Sequence, residues 1–195
     1  MDSIEYYNQN SGEFFGRTID LDFHDERERF YERLPEGASI LDLGCGSGRD
    51  SAYFISQGYD VTAIDASAEM CNLASIHIGQ DVLHINFSDI TFEEVFNGIW
   101  ANASLLHVPG EDIEEILRRI VRSLKQDGIL YMSFLYGDFE GIRDNRYFKD
   151  YRTRTLKDLI SRFEELDLIE IKKSEDKRPD KDLLWITALV KKVGL

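Results

Sequence analysis

A doubly wound α/β fold is what this sequence predicts, and three observations predict it. Short apolar runs alternate with helical patterns over residues 38–135. The first of these runs leads straight into a glycine cluster, "GCGSG", at 44–48. The second run ends on an acid, Asp65, 21 residues after Gly44. Alternation of this kind puts parallel strands in one sheet with crossover helices on its faces.

The elements follow in order. Ile40–Leu43 reads as a first strand, and Asp50–Gln57 as a helix closed by Gly58. Val61–Ile64 is a second strand, after which Ser67 is placed to cap a helix carrying Met70, Leu73 and Ala74 on one face. Val82–Phe87 and Ile99–Leu105 are the third and fourth strands. Between them "TFEEVF" has the makings of a short helix that Asp89 could cap. Asp112–Leu124 is the clearest helix, because Ile113, Ile116, Leu117, Ile120, Val121 and Leu124 keep the i, i+3, i+4, i+7 spacing; "QDG" is read as its end, at Gly128. Ile129–Leu135 is the fifth strand, and after a polar loop Thr155–Leu166 is a helix with Leu156, Leu159, Ile160 and Phe163 inward. Leu168–Ile171 and Leu183–Val190 have no helical period between them, so they pair as an antiparallel hairpin at one end of the sheet. Ahead of all this, "HDERERFYERL" is an amphipathic helix packing through Phe30, Tyr31 and Leu34. The expectation is a Rossmann-like, mostly parallel seven-stranded sheet, its last strand antiparallel, with helices on both faces and an N-terminal helical lid.

The chain has 195 residues, which suits one domain. We read 1–35 as the lid, 36–135 as a cofactor-binding half and 136–195 as a C-terminal half with the hairpin. No apolar run approaches the roughly 18 residues of a membrane span, and "MDSIEYYNQN" lacks the basic start and apolar stretch of a signal peptide. Two cysteines, Cys45 and Cys71, make no disulfide framework and no zinc spacing, so a cytoplasmic setting and no metal are expected. A net charge of −14 repels phosphate chains and disfavours nucleic acid as a partner. The most basic stretch, "RDNRYFKDYRTR" (143–154), is interrupted by acids.

Glycines at 44, 46 and 48 let the backbone turn sharply and approach a ligand. A dinucleotide fingerprint would carry a third glycine where this chain has Arg49, and Asp42 just before Gly44 is a poor neighbour for pyrophosphate. An acid there suits a cofactor bearing an ammonium or sulfonium charge. Asp65 has the spacing of an acid that grips two ribose hydroxyls, and Asp89, beyond the third strand, can accept from an exocyclic amine. Three acids on successive strand ends, without the phosphate-binding glycine, point to S-adenosylmethionine rather than NAD.

Through "ILDLGCGSGRDS", "GYDVTAIDAS", "IWANASLLHVP" and "DGILYMSFLYG" the sequence resembles the class I S-adenosylmethionine-dependent methyltransferases, near the small-molecule branch that includes the tellurite-resistance enzymes. The resemblance implies that Gly44, Gly46 and the backbone around Cys45 hold the methionine end of the cofactor, with Asp42, Gly48 and Arg49 beside them. It implies that Asp65 and Ala66 hold the ribose, Asp89 and Ile90 the adenine, and the backbone near Ala101 the amino group. The reaction implied is in-line transfer to a small-molecule acceptor, leaving S-adenosylhomocysteine, in a pocket made by Tyr6, Tyr7, Asn102, Ser104, His107 and Tyr136. His107 is the candidate base where the acceptor is a hydroxyl or an amine; a thiolate or chalcogen oxyanion needs none. A monomer or homodimer is expected. The competing readings are an RNA or protein methyltransferase working with a partner, and a non-catalytic subunit that binds the cofactor.

Overall fold

A computed structural model describes residues 3–194; the outer limits of the lid and of the C-terminal half, residues 1 and 195, lie outside the described residues. In chain order the elements are α1 (Ser3–Thr18), α2 (His24–Tyr31), β1 (Ser39–Leu43), α3 (Arg49–Ser56), β2 (Asp60–Asp65), α4 (Ala68–Ile78), β3 (Leu83–His84), β4 (Phe96–Ala101), α5 (Ile113–Ser123), β5 (Leu124–Leu135), β6 (Glu140–Arg143), β7 (Arg146–Lys149), α6 (Thr153–Ile160), β8 (Leu166–Glu175) and β9 (Leu184–Lys192). Seven strands form one sheet in the order β3-β2-β1-β4-β5-β9-β8. β1 to β5 pair in parallel, while β9 runs antiparallel to both β5 and β8. The expected sheet and its antiparallel end are therefore present.

Alternation along β1 explains the layers. Ile40 faces a cluster with Phe30 of α2, Phe54 of α3, Trp100 and Tyr131. Leu41 and Leu43 face the other way, into the core under α5 and α6. The periodic residues Ile113, Ile116, Leu117, Ile120 and Val121 of α5 are all buried there, each contributing about 1.5–3 kcal/mol of burial. On the first face α2 lies close to β4: a Cβ on Gly98 would come within 2.6 Å of Phe30 Cζ.

The structure departs from the sequence reading at several boundaries, each for a local reason. β3 is only Leu83–His84; Asn86 then accepts from the Ser88 amide and turns the chain into a 3₁₀ turn at Phe87–Asp89. "TFEEVF" forms no helix, and Phe96 is the first residue of β4. "QDG" does not end α5, which stops at Ser123; it is a bulge within β5, where Asp127 has φ 64° and the pairing with β4 slips between Phe96 and Gly98. The polar loop contains the β6–β7 hairpin, turned by Asp144 and Asn145 at φ 49° and 61°, the pair of positive φ values that such a tight turn requires. α6 ends at Ile160, so Leu166 opens β8 instead of closing a helix.

Candidate functional site

The site begins where β1 ends. Gly44 and Cys45 both donate their amides to the Ile64 carbonyl, at 3.0 and 2.9 Å, which bends the chain across the tip of β2. Gly44 has φ 73°, and a Cβ there would lie 2.6 Å from Ser104 Cβ, so this residue must be glycine for the loop after β4 to close on it. Beside it, the Gly46 amide donates to Asp65 Oδ2 and the Ser67 amide to Asp65 Oδ1, each at 2.9 Å. Burial raises the Asp65 pKa against these backbone bonds, which lower it. Each carboxylate oxygen receives one backbone bond and keeps further acceptor capacity toward the space above.

That space is a cavity of about 920 Å³ at the carboxyl ends of the strands. Its lining includes Gly44, Gly46, Asp65, Met70, Phe87 and Ser104 together with Tyr7, His107, Arg146, Phe148 and Trp185. The Ser104 hydroxyl is buried against it with no hydrogen-bond partner among the described residues.

Under the cavity Asp50 gathers four donors. Arg49 reaches it twice, at 3.0 and 2.7 Å, and Arg27 at 3.4 Å. Trp100 Nε1 and Asn102 Nδ2 donate to Oδ2 at 2.9 and 3.2 Å. Burial would raise this carboxyl's pKa, but the Arg49 charge and hydrogen bonds outweigh it and hold it low. The network continues as Ser133 Oγ donates to Asn102 Oδ1 (2.9 Å) and accepts from the Ala103 amide (2.7 Å), fixing Ala103 at φ 56°.

α1 covers the cavity, broken at Asn10 (φ −119°). The Ser67 hydroxyl donates to Asn8 Oδ1 (2.7 Å) at the start of α4, Arg49 to the Thr18 carbonyl (3.1 Å), and the Tyr147 amide to Ser3 Oγ (2.9 Å). Tyr7 Oη meets His107 Nε2 at 2.8 Å, and His107 Nδ1 meets the Tyr147 carbonyl at 2.7 Å. A carbonyl only accepts, so Nδ1 carries the ring proton and Nε2 accepts from Tyr7. Burial drops the His107 pKa to about 4, so the ring is neutral at pH 7.

Eleven of the residues singled out from sequence line this cavity: Tyr6, Tyr7, Gly44, Cys45, Gly46, Arg49, Asp65, Ala66, Asn102, Ser104 and His107. Six lie off its wall. Asp42 points beneath it, accepting from Ser51 Oγ at 2.6 Å, and burial followed by the Asp50 charge lifts its pKa to about 7. Gly48 packs on α4, where a Cβ would meet Ile78 at 2.9 Å. Ala101 and Ile90 are core residues, and Asp89 is exposed although its neighbours Asn86, Phe87 and Ser88 line the cavity. Tyr136 sits with Lys173, 4.8 Å from its ring. Burial holds both thiols protonated, Cys45 well above its usual value and Cys71 up to about 11. The sequence reading missed Asp50 and Arg146. Asp50 follows Arg49 in the motif itself, and Arg146 sits in the mixed basic stretch 143–154.

No group of three or more His, Cys, Asp or Glu that could hold a metal occurs among the described residues, and no helix there is long and apolar enough to cross a membrane.

Comparisons with known proteins give a fold for nearly the whole chain and a domain-family match for part of it. Residues 41–132 match the family described as "Methyltransferase domain". The "Ubiquinone biosynthesis O-methyltransferase" of Rickettsia typhi is 34% identical over 99 residues, 48% of this chain and 39% of that protein. An "Uncharacterized methyltransferase" of Staphylococcus carnosus is 30% identical over 114 residues, 56% of this chain and 55% of the other. These matches span about half the relatives' length or less. Among solved structures, the 1,6-didemethyltoxoflavin-N1-methyltransferase of Burkholderia thailandensis, crystallised with bound 1,6-didemethyltoxoflavin and S-adenosylhomocysteine, superposes with TM-score 0.80 at 23% identity, over 98% of this chain and 87% of that one. A methyltransferase from Methanosarcina mazei gives TM-score 0.76 at 21% identity, over 89% and 99% of the two chains. The fold match therefore runs through nearly the whole chain, beyond the segment that the sequence family covers.

Proposed function

We propose that this chain, whose residues 41–132 match the family described as "Methyltransferase domain", is a class I S-adenosylmethionine-dependent methyltransferase that transfers the cofactor's methyl group to a small-molecule acceptor. The observation that carries the reading is the cavity itself. One wall offers a carboxylate with spare acceptor capacity (Asp65), a glycine turn and an unpartnered buried hydroxyl (Ser104), and the roof is α1. These residues fit the cofactor. Asp65 would take the ribose hydroxyls, Met70 and Phe87 would flank the adenine, and the Gly44–Gly46 backbone would hold the methionine end. S-adenosylmethionine, when bound, supplies an electrophilic methyl group for in-line displacement.

The chain's own residues then exclude water and align the acceptor, which can be worth about 7–11 kcal/mol of barrier. The Asp50 network fixes Asn102 and the loop after β4, while the Tyr7–His107 bond ties α1 to that loop. His107 is a weak base in this setting. Burial keeps it unprotonated, its Nδ1 proton is committed to a backbone carbonyl, and its Nε2 lone pair is engaged by Tyr7. It orients Tyr7 rather than storing a proton, which favours an acceptor needing no base.

In this reading residues 1–195 work as one domain, with 1–35 as lid, 36–135 as cofactor half and 136–195 closing the acceptor side. The protein acts in the cytoplasm as a monomer or homodimer, and the charge of −14 disfavours nucleic acid as acceptor. Calorimetry tests the cofactor: S-adenosylhomocysteine should bind with micromolar affinity and NAD far more weakly. Radiolabelled donor with cellular RNA, total protein or a metabolite extract tests the acceptor. Label confined to metabolites supports the reading, and label in RNA, weakening steeply with salt, overturns it.

A further inference from the structure

Six arginines line the cavity: Arg17, Arg49, Arg119, Arg143, Arg146 and Arg178. Five of them have a carboxylate partner, Arg17 with Glu13, Arg49 with Asp50, Arg119 with Glu115, Arg143 with Asp150 and Arg178 with Asp176. Arg146 has no ion pair among the described residues. Its Nη1 donates to the neutral Tyr7 hydroxyl at 3.3 Å, and its Nε is buried with no hydrogen-bond partner. The guanidinium carbon lies 4.6 Å from the Tyr6 ring centroid and 5.1 Å from that of Phe148, so aromatic faces hold the cation in place. An unpartnered buried donor on a charged group is costly unless a ligand satisfies it.

We propose that Arg146 is the binding residue for an anionic acceptor, and that the class of substrate is a small organic molecule bearing a carboxylate-type anion. The inference rests on the methyl-transfer reading of this cavity and adds the charge of its substrate. A planar guanidinium with free N–H groups matches a carboxylate fork as no neutral group does. The position agrees, because Arg146 touches Tyr7, which touches His107 in the loop after β4, and all three line the same cavity as Asp65. Tyr6, Tyr7 and Phe148 then supply the apolar walls for the rest of the molecule.

The test uses benzoate and its neutral isostere benzamide on the ¹⁵N-labelled protein saturated with S-adenosylhomocysteine, following the arginine Nε–H resonances. Benzoate should shift, saturably, one resonance that is missing from both R146Q and R146K. Benzamide should not. R146Q should weaken benzoate at least ten-fold and R146K by less, with S-adenosylhomocysteine affinity within two-fold of wild type in both. Equal binding of benzamide, or benzoate binding that survives R146Q, overturns the proposal. So does a parallel ten-fold loss of S-adenosylhomocysteine in R146Q, which would make Arg146 a donor-site cation. Failure of the methyl-transfer reading looks different: S-adenosylhomocysteine gives no heat, while benzoate still shifts the Arg146 resonance in the protein alone.

Discussion

The Tyr7 hydroxyl donates to Nε2 of His107 across 2.8 Å, joining α1 to the loop after β4. Because the other ring nitrogen is held by the Tyr147 carbonyl, the same histidine also joins that loop to the β6–β7 hairpin. Three segments that shape the proposed acceptor side are thus pinned at one imidazole.

Tyr7→Phe removes the donor and leaves Nε2 without its partner. Folding should survive with a loss of about 1 kcal/mol, the usual net worth of such a bond. Turnover should fall at least ten-fold while S-adenosylhomocysteine affinity changes little. Thermal melts, calorimetry and labelled-donor assays together check this, and unchanged turnover would remove Tyr7 from the acceptor side.

The pH dependence of stability should carry the signature of His107. Its folded pKa, near 4, lies below the ordinary 6.5, so the unfolded chain binds the extra proton between those values. The stability that the neutral ring supplies is complete above about pH 6.5 and is lost as pH falls toward 4, by about 3 kcal/mol at most. Asp42 works in the opposite sense over an overlapping window, because its pKa is raised to about 7. The comparison must therefore be His107→Gln against wild type. The difference in urea-unfolding free energy between the two should shrink as pH falls from 7 to 4.

Asp65→Ala deletes the acceptor of the Gly46 and Ser67 amides as well as the proposed ribose grip. Charged hydrogen bonds are worth about 1.5–3 kcal/mol each, so S-adenosylhomocysteine affinity should drop at least ten-fold. A variant that binds normally would reduce Asp65 to a brace for the glycine loop.

Asp50→Ala should be the most destabilising of these changes. It leaves Arg49 without its buried partner and takes an acceptor from Trp100 and Asn102. Breaking a buried pair from one side costs about 3–5 kcal/mol. Chemical denaturation measures it, and a loss below about 1 kcal/mol would show that the network is dispensable.

The glycine turn and Asp65 were legible in the sequence because their constraints are local. A positive φ demands glycine at 44 and 46, and an acid at the tip of β2 follows a fixed spacing. The Ile113–Val121 stripe was legible because α5 has one buried face. Other features depend on partners far away in the chain. Nothing around Arg146 distinguishes it from Arg143, and only the fold gives Asp150 to one and leaves the other without a carboxylate. Asp42 has the sequence position of a cofactor acid, yet it is turned under the cavity toward Ser51. The "QDG" segment carries the residues of a helix stop, and pairing with β4 makes it a bulge instead. The β6–β7 turn did have a signal in its Asp-Asn pair, but the charged residues around it hid the alternation.

The order in which the chain is made has a consequence for α1. Ser67, His107 and Tyr147 follow their partners Asn8, Tyr7 and Ser3 by 59, 100 and 144 residues. During synthesis the helix therefore leaves the ribosome long before anything it will cover exists, with Tyr6, Tyr7 and Phe14 uncovered. The central strands can pair before the hairpin that holds Ser3 has been translated. Completion of the α1 docking is thus a late event in biogenesis, and a nascent chain stalled before Tyr147 would hold β1 to β5 but lack β8, β9 and the anchor for Ser3, a state in which chaperones would meet those aromatic rings.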